Sequence, residues 1–185
     1  MTPTPEHDEP VRVLFVCTAN IARSVYAERR AVQMMTASGE PHVHVGSAGV
    51  PGYPGWGMDR PMAAELRDRG GDPLGHESRA LTLGLLEQAH LVLTFEFAHR
   101  LAIAESWPDQ EPKVFSLRRL ADAISRVQSP SHGFELLDQA LAVSQPDGLN
   151  WDVPDPHRRG IKAARVCADT IDAALEVILP ALSPG

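Results

Sequence analysis

Apolar and polar positions along the chain follow two periods, and each change of period marks an element. Val11 to Val16 is a short, β-branched apolar run that predicts a buried strand. At about Ser24 the pattern turns helical and runs to about Ser38, offering Val25, Ala27, Ala31, Met34 and Met35 to a core, with Gly39 and Pro41 as its stop. His42-Val43-His44-Val45 alternates and meets Gly46-Ser47-Ala48-Gly49, which predicts a second short strand running into a tight turn. The Gly- and Pro-rich stretch from Val50 to Met58 reads as a surface loop.

Helical patterns follow over about Arg60 to Arg69, closed by Gly70-Gly71, and over Leu81 to Gln88. His90 to Phe95 predicts a third strand, a short helix to about Ser106 comes next, and Lys113-Val114-Phe115 is a brief fourth strand. Leu117 to Val127 and Phe134 to Val143 predict two helices joined through Ser129-Pro130-Ser131. Beyond a polar, Pro-rich loop from Gln145 to Gly160, the last helix sets Ala163, Cys167, Thr170, Ile171, Ala174, Leu175, Ile178 and Leu179 along one stripe. Strands alternating with helices imply an α/β fold: a four-stranded parallel sheet with helices on both faces. Ligands in such sheets bind beyond the carboxyl ends of the strands, where Cys17 falls.

Composition narrows the class. At 185 residues the chain is expected to form one domain over residues 11–185, after a Pro-rich, acidic lead over residues 1–10 that is expected to be disordered. That lead lacks the apolar core of a secretory signal, and no apolar run reaches membrane-spanning length. A net charge of −7 argues against a general nucleic-acid binder. Two cysteines, Cys17 and Cys167, make neither a disulfide framework nor a zinc site, so no metal or cofactor is expected and a reducing, cytoplasmic setting fits. Cys167, on the apolar stripe, reads as core.

The chemistry concentrates in Cys17-Thr18-Ala19-Asn20-Ile21-Ala22-Arg23-Ser24. A loop of this length between a strand and a helix can turn several backbone N–H groups toward one point, at the positive end of the helix, and so hold a tetrahedral oxyanion such as phosphate or sulfate. A cysteine at its floor is favoured as the thiolate. Arg23 can present two parallel donors to a phosphoryl group, and Ser24 can donate to the sulfur. The arrangement suits attack on phosphorus and a covalent cysteinyl-phosphate; a buried, inert cysteine is the bland alternative.

These residues resemble the low-molecular-weight protein tyrosine phosphatase family, whose loop usually reads V-C-x-G-N-I-C-R-S-P. Ser47-Ala48-Gly49 is similar to its S-A-G turn, His76-Glu77-Ser78-Arg79 to its H-x-S-R segment, and Asp152-Val153-Pro154-Asp155-Pro156 to its D-x-x-D-P loop. The resemblance implies a Rossmann-like or flavodoxin-like three-layer sandwich and hydrolysis of phosphotyrosine or other small phosphomonoesters. It implies Asp155 as general acid and base, with Asp152 as runner-up but more simply a solvated loop residue. It also implies Asn20, Ser47 and His76 as braces of the loop, although for His76 an ordinary surface role weighs nearly as much. Tyr53 and Trp56 are candidates for an aromatic substrate wall or for staples of their own loop, and Trp151 is a weaker candidate. Arg158 and Arg159 read as a solvated pair, with attraction of anionic substrate as the alternative.

The chain also departs from the pattern. Ala19 replaces glycine, Val25 replaces proline, and His157 stands where tyrosine often follows Asp-Pro. Ala22 replaces a second cysteine that many relatives could use to trap an oxidised nucleophile. Ile21 stands where, on the resemblance, threonine marks phosphoarginine specificity, which favours tyrosine. Rival readings are an arsenate reductase using an external small thiol and a non-catalytic phosphate-binding regulator.

Overall fold

The central strand is apolar on both sides because both of its faces are covered. In the computed structural model, which describes residues 10–38, 43–128 and 131–183, β1 (Val11–Cys17) sends Val11, Val13, Phe15 and Cys17 into the larger core and Leu14 and Val16 into a smaller one. The larger core is closed by α1 (Arg23–Ser38), α2 (Arg60–Asp68), α5 (Leu117–Arg126), α6 (Gly133–Val143) and α7 (Gly160–Leu182). The smaller one lies under α3 (Leu83–Gln88) and α4 (Phe97–Ser106). With β2 (Val43–Gly49), β3 (Leu91–Thr94) and β4 (Val114–Ser116), β1 forms one parallel sheet in the order β2-β1-β3-β4. The chain runs outward from β1 to β2 and from β3 to β4, toward opposite edges, so the crevice at the carboxyl ends of β1 and β3 is the topological switch point of the sheet.

Most predicted elements lie within two residues of their positions. The differences have physical causes. Ser47-Ala48-Gly49 is not a turn but the end of β2, paired with β1 as far as Cys17 opposite Gly49. The chain turns afterwards, through a cis Val50–Pro51 bond. Small residues occur here because the loop packs on them: a Cβ on Gly49 would lie 2.7 Å from the Thr18 carbonyl oxygen, and one on Gly52 2.5 Å from the Ala80 Cα. Two short 3₁₀ segments, Pro108–Lys113 and Leu149–Trp151, break what read as loop. On α7 the buried face is centred on Ala164, Cys167, Ala168 and Ile171, with Ala163 and Thr170 at its margin. The stop at Gly39 and Pro41, residue His42, the Ser129-Pro130 joint and residues 1–9 of the lead lie outside the described residues.

Candidate active site

The loop between β1 and α1 is held from outside by its carbonyls. Val50 N donates to the Cys17 oxygen at 2.8 Å, Gly52 N to Thr18 at 3.0 Å, and Asp59 N to Ile21 at 2.7 Å. His76 Nε2 donates to the Asn20 oxygen at 2.6 Å, and the Ala22 oxygen begins the helix by accepting from Tyr26 N. In a planar trans peptide the following N–H opposes the carbonyl, so the amides of residues 18, 19, 21, 22 and 23 turn inward. The result is a nest of donors at the start of α1.

Asn20 makes the sharp turn. It is one of two non-glycine residues with positive φ, at 58°, among the described residues. Its side chain secures that conformation: Nδ2 donates to Ser24 Oγ at 3.0 Å and Ser47 Oγ at 2.8 Å, while Oδ1 accepts from Arg79 N at 3.0 Å. Ser47 in turn donates to Glu28. Because Ser24 Oγ already accepts from Asn20, its proton is free for Cys17 Sγ, 3.0 Å away. Asn20, Ser47 and His76 are therefore all brought to the loop.

Arg23 is 1% exposed. Nη1 donates to Glu96 Oε1 at 2.5 Å and to the Val153 oxygen at 2.9 Å, and Nη2 lies 3.3 Å from Asp155 Oδ2. Burial works against the charge, but Cys17, Asp155 and Glu96 outweigh it and hold the guanidinium pKa above its ordinary value. Its Nε is buried and has no protein partner. Asp155 also accepts from His157 N at 3.1 Å, and His157 Nδ1 contacts Asp59 Oδ1 at 2.8 Å, tying the acidic loop to the start of α2.

A cavity of about 360 Å³ opens above Cys17 and Arg23, walled by Ile21, Tyr53, Trp56, Asp155, His157 and Arg158. Thr18, Ala19 and Ala22 complete its floor. Trp151 is not part of it; its indole donates to the Pro146 oxygen of its own loop. Asp152 is not a merely solvated residue, because Oδ1 accepts from Phe97 N at 2.7 Å at the start of α4.

Two further residues reach the site from the end of β3: Glu96, which holds Arg23, and His99. Glu96 N donates to His99 Nδ1 at 3.1 Å, so the ring proton sits on Nε2, which donates to Thr18 Oγ1 at 2.9 Å. Burial, reinforced by Arg23, lowers the His99 pKa to about 3, so its 3.6 Å approach to Glu96 is not an ion pair near neutral pH. Cys167 is buried on α7, and burial pushes its pKa up to about 12.

Fold and loop together define the class, a doubly wound α/β protein with a nest of backbone donors at the end of its first strand. Residues 12–135 match the family described as low molecular weight phosphotyrosine protein phosphatase, and the chain belongs to that family. It is 31% identical over 173 residues to a low molecular weight protein-tyrosine-phosphatase of Streptomyces coelicolor, covering 92% of this chain and 93% of the relative. It is 37% identical over 106 residues to a protein-arginine-phosphatase of Bacillus subtilis, covering 57% and 69%. Among solved structures, a cysteine-to-serine mutant of the YwlE arginine phosphatase, with its active-site serine phosphorylated, superposes with a TM-score of 0.72. The two are 26% identical, and the match covers 92% of this chain and 94% of the other. No helix among the described residues is long and apolar enough to cross a membrane.

Proposed function

We propose that this protein hydrolyses phosphotyrosine and related aryl phosphate monoesters through a cysteinyl-phosphate. The Cys17 thiolate attacks phosphorus in line with the ester oxygen, which departs with the proton of Asp155. The Asp155 carboxylate then takes a proton from water, water attacks phosphorus, and the P–S bond breaks to return the thiolate and release phosphate. Inward amides and Arg23 balance the charge on the equatorial oxygens, and Ser24 steadies the sulfur as it leaves.

The observation that carries the reading is the buried, unpartnered Nε of Arg23 beside Nη2. Nη1 is already held by Glu96 and Val153, which leaves the Nε–Nη2 edge for two phosphoryl oxygens. Phosphorylation of the active-site residue in the YwlE mutant supports a covalent route. Ile21 with Tyr53 and Trp56 gives the cavity apolar walls suited to a phenyl ring. Arginine-phosphatase relatives make phosphoarginine the second reading. The chemistry needs a reduced thiol, in keeping with a cytoplasmic setting.

The test is to offer wild type, Cys17→Ser and Asp155→Asn an aryl phosphate, a phosphotyrosine peptide, a phosphoarginine peptide, and arsenate with a small thiol. Turnover of the first two, lost in Cys17→Ser, is expected. Turnover of phosphoarginine alone establishes the second reading. Arsenate reduction alone, or anion binding without turnover, overturns both.

A further inference from the structure

Asp155 stands between two cavities. One is the cavity over Cys17; the other, about 350 Å³, lies behind the acidic loop and is lined by Pro154, Pro156, Arg159, Lys162 and Cys167 as well as Asp155. The rim shared by the two carries a concentration of positive charge in a chain of net charge −7. Arg158 lines the first cavity, while Arg159 and Lys162 line the second, and all three are exposed. Among the described residues none of the three makes an ion pair. Arg158 also occupies the left-handed region, with φ 59°, a conformation that costs an arginine energy and persists only where the surroundings hold it. His157, fixed to Asp59, and Gly160, at the start of α7, bracket it.

We infer that Arg158, Arg159 and Lys162 form a subsite for an acidic side chain next to the phosphorylated residue of a peptide substrate. This rests on the phosphatase reading above and adds a substrate class to it. Asp155, His157 and Arg158 wall the first cavity on the side of the acidic loop, so a peptide whose phosphotyrosine enters it can pass over Arg158, Arg159 and Lys162. A Glu or Asp beside it then meets unpaired cations without displacing an existing bond. The Glu77 carboxylate lies near Gly55, next in sequence to Trp56 of the cavity wall.

The experiment is a scan of phosphotyrosine peptides carrying a single Glu, Ala or Lys at each position near the phosphotyrosine. Wild type is compared with Arg158→Asn, which tolerates the left-handed backbone, with Arg158→Lys, and with the pair Arg159→Glu and Lys162→Glu. At one or two positions wild type is expected to favour Glu over Ala by about fivefold in kcat/KM, mostly through KM, and to lose that preference in high salt. Arg158→Lys should retain the preference, Arg158→Asn should reduce it, and the charge-reversed pair should turn it toward Lys. Discrimination is read as a ratio between peptides, so a general loss of activity does not imitate it. Equal rates on Glu, Ala and Lys peptides in wild type, or a preference that survives charge reversal, overturn the inference while leaving the phosphatase reading intact. Failure to hydrolyse any peptide or aryl phosphate removes that reading itself.

Discussion

Arg23 Nη2 lies 3.3 Å from Asp155 Oδ2, so the residue proposed to clamp phosphate and the residue proposed to move the proton are ion-paired with each other. An incoming phosphate dianion competes with Asp155 for the same nitrogen. The pairing sets Asp155 over the loop mouth, and it opposes binding of product.

Asp155→Asn should therefore separate binding from chemistry. Removing a negative charge beside the anion should tighten inorganic phosphate binding, by about three- to tenfold, in isothermal titration. Turnover should fall by about 10²- to 10⁴-fold, more for phenyl phosphate than for an activated nitrophenyl ester that needs little protonation. Equal losses on the two esters would remove Asp155 as the acid.

Glu96 is placed to influence the proposed reaction through Arg23. Glu96→Gln should keep the shape of the contact while weakening its hold on Nη1, and Glu96→Ala should remove it. We expect kcat/KM to fall by about 10- to 100-fold in Glu96→Ala, with Glu96→Gln between it and wild type. A rise in the phosphate dissociation constant should accompany the loss. Unchanged phosphate binding in Glu96→Ala would show that Val153 and the packing hold Arg23 without it.

His99 should make the fold sensitive to acid. Its pKa is lowered to about 3 by burial, whereas in the unfolded chain it is near the ordinary value. Between those values the unfolded chain binds a proton that the native protein refuses. The contribution is thus complete above about pH 6.5 and is lost as pH falls toward 3, with a slope of up to about 1.4 kcal/mol per pH unit. Urea unfolding of wild type and His99→Gln at pH 7 and pH 4.5 should show a smaller drop for the variant. Parallel curves would place the acid sensitivity elsewhere.

Ala22 leaves Cys17 without a neighbouring thiol in the loop. Peroxide inactivation should pass readily to sulfinic and sulfonic forms and be poorly reversed by dithiothreitol. Ala22→Cys should restore recovery. Full recovery of wild type through a Cys17–Cys167 bridge, detected by mass spectrometry, would refute the prediction; burial of Cys167 and its raised pKa stand against it.

What could be read from the sequence followed from local pattern. The step from β-branched apolar residues to a polar loop and then a helical period locates β1, the loop and α1, and alternation of strands with helices leads to the parallel sheet. Glu96 and His99 escaped because their partners lie far away in sequence: Glu96 is 73 positions from Arg23 and His99 is 81 from Thr18. A usable signal was present, since both follow directly on β3, the strand beside β1, where the topology gathers functional groups. Asp152 looked like an ordinary loop acid because only the fold reveals the open amide at the start of α4 that it caps. Ser47-Ala48-Gly49 has turn-like composition, and small side chains serve equally at the end of a strand crossed closely by another loop.

Val153 joins two parts of this site through main-chain atoms alone. Its N–H donates to the Phe95 oxygen at 2.7 Å and its carbonyl accepts from Arg23 Nη1 at 2.9 Å. The acidic loop is thereby registered against both β3 and the guanidinium by bonds that do not depend on side-chain identity there. Residues upstream of Asp152 can therefore vary with little effect on where Asp155, the proposed proton donor, sits. That segment is thus a natural place for lineages to alter the outer surface, or for an engineer to graft a foreign loop, while the bond-breaking apparatus stays in place.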